Sequence, residues 1–223
     1  MSDKRNYGQF CGLAGALDLV GERWTLLVIR ELLPGPARYN DILANLPGIG
    51  PNLLSSRLRS LTESGLLTQR RTEHDGRGRE YQLTDEGEAL REPVLALARW
   101  GLGQLAKASA ERGETRAAWS FLAVEAMMQR STDPATTEDY EFRVSGVVFH
   151  IQVVDGDARA MRGPSSAPAI TVMTDTETFV EIGARIVTPF AALLSGRLVI
   201  QGDQAAATRC TALMGLGDPV LAR

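Results

Sequence analysis

Gly50-Pro51-Asn52-Leu53-Leu54-Ser55-Ser56-Arg57-Leu58-Arg59-Ser60-Leu61-Thr62-Glu63-Ser64-Gly65-Leu66-Leu67 carries two opposed faces. Leu54, Leu58 and Leu61 recur at i, i+4 and i+7, so a helix here puts them on one stripe that calls for a core. At about 100° per residue, Asn52, Ser56 and Arg59 point the other way. That outer face is short, polar and cationic, without long acidic side chains to repel phosphate. A major groove accepts such a face, because small polar residues and arginine reach base edges there. Gly65 is placed to end the helix as a C′ glycine. The same pattern also fits an ordinary amphipathic surface helix, and the flanking segments decide between the two.

Upstream, Cys11 to Val20 reads as a helix with Leu13, Leu17 and Val20 on one side, broken by Gly21. Trp24 to Leu33 reads as a second helix, so apolar between Trp24 and Ile29 that it belongs at the centre of a bundle. Pro34-Gly35-Pro36 stops it. Tyr39 to Leu46 is a short third helix with Ile42, Leu43 and Leu46 inward. Pro47-Gly48-Ile49-Gly50-Pro51 is a turn that places a proline in the first turn of the next helix. Two helices joined by a tight glycine-containing turn, the second with a polar outer face, form the helix-turn-helix pattern.

Downstream, strands over Leu66 to Thr72 and Arg79 to Thr84 flank a glycine-bearing loop from Glu73 to Gly78, a β-hairpin. Arg70, Arg71, Arg77 and Arg79 lie on the loop and its shoulders, where they reach phosphates or a narrow minor groove. Glu73, Asp75 and Glu80 partly cancel them, so a solvated hairpin is the alternative. Thr84-Asp85-Glu86-Gly87 is a cap with first-turn acids. It opens a helix over 85–110 with room for a bend at Pro93. Leu90, Val94, Leu97, Trp100, Leu102 and Leu105 line that helix with more apolar surface than a small domain needs. We expect this helix and the first one to pair two copies as a homodimer, or the second half to cover the same surface.

A chain of 223 residues that is 44% hydrophobic and 23% charged is an ordinary globular composition for one large or two small domains. The net charge is −3, but residues 1–110 carry 14 Lys and Arg against 13 Asp and Glu, a net of +1. Residues 111–223 carry 10 against 14, a net of −4, so the overall balance is a poor guide to the first half. Two distant cysteines, a polar start with no apolar signal core, and no run long enough to span a bilayer lead us to expect a cytoplasmic protein with reduced thiols and no membrane partner.

Cys11-Gly12-Leu13-Ala14, Leu17-Asp18-Leu19-Val20-Gly21-Glu22-Arg23-Trp24, Leu32-Leu33-Pro34-Gly35-Pro36-Ala37-Arg38-Tyr39-Asn40-Asp41-Ile42, Leu46-Pro47-Gly48-Ile49, Leu54-Ser55-Ser56-Arg57-Leu58, Gly65-Leu66-Leu67 and Tyr81-Gln82-Leu83-Thr84-Asp85-Glu86-Gly87 resemble, in order and spacing, the HxlR family of bacterial winged-helix regulators. The resemblance covers about residues 8–105 and implies a dimeric transcriptional repressor or activator. Cys11 falls where many members of that family carry a cysteine, which in some senses oxidants or electrophiles. Gly12 stands where the family usually has proline. A sensing cysteine needs a depressed pKa, and Lys4, Arg5 and Arg23 are the nearby charges in sequence. A packed thiol is the alternative.

After a polar boundary at Ala108 to Thr115, Arg116 to Gln129 reads as a helix with Trp119, Leu122, Ala123, Ala126 and Met127 on one face. Strands follow at Tyr140–Ser145, Val147–Val154, Ala158–Arg162 and Ala169–Met173, split by Ser145-Gly146, Asp155-Gly156-Asp157 and Gly163-Pro164-Ser165-Ser166. Alternation puts Phe142, Val144, Val147, Phe149, Ile151 and Val153 inward, and Glu141, Arg143, Val148, His150 and Gln152 outward. His150 then faces water or a partner. Helices at Glu177–Arg185, Thr188–Leu194 and Asp203–Met214 and a strand at Arg197–Gln201 complete an α+β domain with a mostly antiparallel sheet. Phe149-His150-Ile151-Gln152-Val153, the run Ala169 to Phe179, and Gly196-Arg197-Leu198-Val199-Ile200-Gln201-Gly202-Asp203 resemble the sterol carrier protein-2-like fold over about residues 115–215. That resemblance implies a tunnel for an apolar or amphipathic ligand. Trp119, Met127, Met128, Phe142, Phe149, Met161, Phe179 and Phe190 are bulky enough to wall it, and each serves equally as plain core.

Neither His74 nor His150 has a His or Cys at ligand spacing, and no phosphate loop or nucleophile elbow appears, so no metal, cofactor or enzyme activity is expected. The reading is a winged helix-turn-helix over 1–110 and a sterol-carrier-like ligand domain over 111–223. A homodimer reads a palindromic double-stranded operator, with a small apolar effector as modulator. Asn52, Ser55, Ser56 and Arg59 approach base edges, and Arg57 the edge or the backbone. Arg77 and Arg79 hold the wing, and Arg38 and Tyr39 touch phosphate. The rival is a hydrophobe carrier that uses the winged helix for pairing alone.

Overall fold

The computed structural model describes residues 6–72, 75–107, 113–129 and 135–217, and of residues 71, 72 and 75–78 it describes the backbone alone. It divides into two compact units, Met1–Val94 and Leu95–Arg223. The polar run offered by the sequence as a boundary lies further on, and part of it falls outside the described residues.

The first unit runs α1 (Gly12–Val20), α2 (Thr25–Leu32), β1 (Ala37–Arg38), α3 (Tyr39–Asn45), α4 (Pro51–Glu63), β2 (Leu67–Thr72), β3 (Asp75–Leu83) and α5 (Asp85–Glu88). Val28, Ile29, Leu32, Ile42, Leu46, Leu54, Leu58 and Leu61 are buried together as its core. The leucine stripe of α4 faces that core as its spacing predicts. Leu27 of the very apolar α2 is exposed, so that helix is buried on one side and not all round. At the end of α4 the Leu66 amide donates to Leu61 O at 3.0 Å and the Gly65 amide to Thr62 O at 3.1 Å. Gly65 has φ +76°. This is the Schellman closure, which needs a residue indifferent to the left-handed region.

The hairpin pairs Leu67 with Leu83 through to Arg71 with Arg79, with a register slip at Arg71/Thr72. β3 begins at Asp75, so most of the loop expected from Glu73 to Gly78 is strand; Glu73 and His74 lie outside the described residues. β1, not anticipated from sequence, adds a third strand by pairing Ala37 with Tyr81 and Arg38 with Glu80. Two residues carry no readable alternation, so such a strand exists through its partner.

The helix expected over 85–110 is broken in two. Thr84 caps α5 by accepting the Gly87 amide at 3.1 Å, and α6 then runs Arg91–Leu105. Proline cannot donate to the carbonyl four residues back and its ring clashes there. Restarting at Arg91 puts Pro93 in a first turn, where neither defect matters.

The second unit holds most of α6, a short 3₁₀ turn (Ala117–Trp119) and α7 (Ser120–Met127). β4 (Glu138–Val144), β5 (Val147–Val154), β6 (Asp157–Arg162), β7 (Pro168–Thr174), α8 (Thr176–Gly183), α9 (Pro189–Leu194), β8 (Leu198–Gly202) and α10 (Gln204–Leu213) follow. The sheet order is β6-β5-β4-β7-β8. Only β4 and β7 run parallel among these pairs, so the sheet is mostly antiparallel, as expected. Ser145-Gly146 and Asp155-Gly156, all at positive φ, turn the two hairpins. Asp175, Thr188 and Asp203 cap α8, α9 and α10 by accepting amides three residues on.

One face of the sheet carries Tyr140, Phe142, Phe149, Ile151, Ile170 and Val172, all buried. Phe142 stacks on Phe149, which meets Phe121 and Phe179 edge to face. In α7 the buried side is Phe121, Leu122, Val124 and Ala126; Trp119, Ala123 and Met127 are half-buried. On the other face of the sheet Glu141 is unexpectedly 1% exposed. Its carboxylate accepts from Arg143 at 2.8 Å and from the Ser165 amide at 3.0 Å. His150 is also buried, with Nδ1 3.0 Å from Gly163 O. The partner that alternation required for His150 is the chain's own turn folding back.

Candidate functional site

The outer face of α4 is open. Asn52, Ser55, Ser56 and Arg59 are all exposed, directly over the buried Leu54, Leu58 and Leu61. Pro51 and the capping Gly50 start the helix, so Asn52 sits in its first turn, where a helix points unpaired N–H groups and favourable dipole outward, and Ser55 lies one turn on.

Two residues expected to meet DNA also have partners within the chain. The Tyr39 hydroxyl donates to Pro51 O at 2.8 Å and accepts from Ser55 Oγ at 3.3 Å, so it pins the start of α4. Arg57 donates from Nε to Arg23 O at 3.0 Å and from Nη2 to Glu22 Oε2 at 2.9 Å. Its side chain is 16% exposed while Glu22 is 58% exposed. A fork held this way has little freedom to reach a base edge.

The segment that receives Arg57 is itself unusual. Trp24, the residue before α2, has φ +77°, a genuine departure for a bulky side chain that costs on the order of 1–3 kcal/mol. Its ring lies against Gly48 in the turn between α3 and α4: a Cβ on Gly48 would stand 3.6 Å from it. The Arg23 guanidinium lies 5.4 Å from the centre of the same ring.

In the wing, Arg70 and Arg79 are exposed. Arg79 reaches Gln69 at 3.4 Å, a long bond easily given up. Arg77 lies in β3, but its side chain is outside what the structure describes. Arg38 is exposed and sits 3.8 Å from Glu80, a surface pair too weak to hold it from a phosphate.

Cys11 is exposed at the open end of α1. Its sulfur makes no capping hydrogen bond, yet the amides of Ala14 and then Leu13 hold the thiol below its ordinary value. The helix-end amides are the largest cause among the described residues; of the charges expected near it from sequence, Lys4 and Arg5 lie outside the described residues. Cys210 is the opposite case: burial, helped by Glu138, pushes its thiol up to about 12.

In the second unit an apolar cavity of about 60 Å³ lies between the sheet and α7 to α10. Met127, Phe142 and Phe179 line it, as expected. The rest of its wall is Ile170, Val172, Thr174, Ile182, Pro189, Leu198, Ile200, Ala207, Cys210, Thr211, Met214 and Leu216. Five of the residues proposed from sequence lie off it. Phe149 is enclosed by the aromatic cluster, and Trp119 and Met128 flank α7. Met161 and Phe190 are exposed. Bulk alone does not place a side chain on the wall, which is set by the strand face and helix stripe that point inward. Thr174 and Thr211 donate to Arg197 O and Ala207 O, so their hydroxyls are engaged.

α8 connects this wall to α6. Gly183 follows Phe179 and Ile182, and a Cβ there would stand 3.0 Å from Met127 Sδ and 3.8 Å from Leu102. Arg99 of α6 also donates to Ala126 O at 2.5 Å.

The HxlR-like helix-turn-helix family matches residues 19–109, and the SCP-2 sterol transfer family matches residues 124–215. An uncharacterized HTH-type transcriptional regulator of Mycobacterium tuberculosis is 45% identical over 86 residues, 39% of this chain and 54% of the relative. The chain thus spans about half the length of that relative. The HTH-type regulator YvaP of Bacillus subtilis is 33% identical over 85 residues, 38% of this chain and 79% of the relative. A regulator of Synechocystis is 31% identical over 104 residues, 47% of this chain and 77% of the relative.

Proposed function

Because this chain belongs to the HxlR-like helix-turn-helix family, we propose that it is a transcriptional regulator that reads a palindromic operator as a homodimer. We further propose that a small apolar molecule in the second unit modulates it. The observation that carries the DNA reading is the face of α4: four short polar or cationic side chains exposed together on a fully buried leucine stripe. Asn52, Ser55, Ser56 and Arg59 read base edges, and the exposed wing arginines and Arg38 meet phosphates.

Pairing is supported by exposed apolar surface. Phe10, Leu13 and Leu17 at α1, and Leu97, Trp100 and Leu105 on α6, are exposed. A two-fold pair would set two α4 helices about one DNA turn apart.

The effector reading rests on the cavity and on the match of residues 124–215 to the SCP-2 sterol transfer family. At about 60 Å³ the cavity is far below the roughly 300–1,000 Å³ of a drug-sized site. An effector of drug size fits wholly within it only if α8, α9 or α10 gives way. The wall is apolar but for two threonine hydroxyls, whose protons are already donated to Arg197 O and Ala207 O. Displacing α8 would press on Met127 and on Leu102 of α6.

Salt dependence tests the regulator against the carrier. A duplex recovered by the protein from a random pool should be lost steeply as salt rises, with a log–log slope near −0.9 per neutralised phosphate. Retention of bound hydrophobe with no selected duplex and no salt-dependent binding would leave the carrier reading standing.

A further inference from the structure

The geometry points to Arg57 as a positioning residue of the DNA-reading helix, acting through Glu22 to Trp24, with that segment serving as the joint by which α1 sets the pose of α4. This rests on the DNA reading above but assigns Arg57 and Glu22 a different task from contact.

Three observations converge on the joint. Arg57, at the middle of α4, grips both a carbonyl and a carboxylate of this one segment, at 3.0 and 2.9 Å. Trp24, two residues on from Glu22, braces the turn that leads into α4 through Gly48. The backbone at Trp24 is held in the left-handed region, a conformation that persists only where its surroundings over-determine it. The middle of the reading helix is thus fastened to the three residues that follow the α1 end at Gly21, and the turn that leads into it packs against the same segment. α1 is also a helix with exposed leucines that a second copy would cover. A shift of α1 on pairing would reach α4 through this joint.

Charge alone makes the opposite prediction, which gives the test its edge. Glu22 is an exposed carboxylate beside a DNA-facing helix, so neutralising it should tighten DNA binding if only charge matters. The positioning role says that Glu22→Gln weakens it. Arg57→Lys keeps the charge for a phosphate but loses the fork that holds two acceptors. The experiment uses the full chain and a duplex selected by the wild-type protein from a random pool, titrated across salt, together with hydrogen exchange of the α4 amides without DNA.

We expect both variants to lose at least about fivefold in affinity, the lower end of what coupled sites transmit. The salt slope should stay unchanged, and α4 exchange should quicken. Tighter binding by Glu22→Gln, with Arg57→Lys like wild type and α4 exchange unmoved, would overturn the proposal. So would an Arg57→Ala slope smaller by about 0.9, the mark of a phosphate contact. If the wild-type protein selects no duplex, the regulator reading fails, and α4 exchange still judges the joint.

Discussion

Arg59 and Arg57 stand two positions apart on α4 and meet opposite fates. Arg59 projects into solvent from the polar face, and its truncation to alanine should relax discrimination at one base pair of the operator by about 1–3 kcal/mol. Competition between the operator and single-base variants measures this; unchanged discrimination would remove Arg59 from the readout. The inward turn of Arg57 was not legible, because its partners Glu22 and Arg23 lie 35 and 34 residues away. Helical periodicity says where a Cβ points and not what a long side chain finds. The two cysteines separate in the same manner. Cys11, held below its ordinary value by helix amides, should alkylate at lower pH than a free thiol of pKa about 8.5. Cys210, at about 12, should stay unlabelled near neutrality until the chain unfolds. Peptide mapping after iodoacetamide across pH reads both, and equal labelling of the two would contradict the environments described.

At the scale of elements, caps and turns were the most readable features, since each is decided within a few residues. Asp175 caps α8 by accepting the Thr178 amide at 2.8 Å, and that amide holds its carboxyl below the usual range. A folded value under the unfolded one of about 3.9 means that the stabilisation is complete above that pH and is lost as pH falls through the folded value. Asp175→Ala should therefore cost about 1 kcal/mol at neutral pH, and the cost should shrink toward zero in acid. Urea unfolding of both proteins at pH 7 and near pH 2 tests it; an equal difference at both would mean that the cap charge is irrelevant. Other elements resisted reading. β1 has too few residues for a pattern and exists by pairing with β3. The break between α5 and α6 was placed too late because a proline ends up inside a first turn and not at the kink itself. Glu141 reads as an outward residue and does point outward, but the turn at Gly163 to Ser165 folds over it.

At the scale of the molecule, acid should weaken the second unit beyond the Asp175 contribution. Glu138 is held below its usual range first by Arg209, which reaches it at 2.6 Å through two nitrogens; that share too is present above the carboxylate range and lost below it. Self-association is the larger test. Trp100 is 67% exposed on α6, and Trp100→Glu should convert a dimer into a monomer by light scattering and sharply weaken operator binding. A persistent dimer would place the interface elsewhere. Sequence by itself determined the helix order, the hairpin, the mostly antiparallel second sheet and the polar face of α4, because periodicity, capping and turn chemistry act over a handful of neighbours. Tertiary structure alone decided that Tyr39 and Arg57 hydrogen-bond to distant parts of their own chain, and that the apolar pocket measures about 60 Å³ and omits five of the eight bulky residues offered for it. Those outcomes depend on where segments dozens of residues apart come to rest, and a side chain's partners, unlike its direction, are fixed only then.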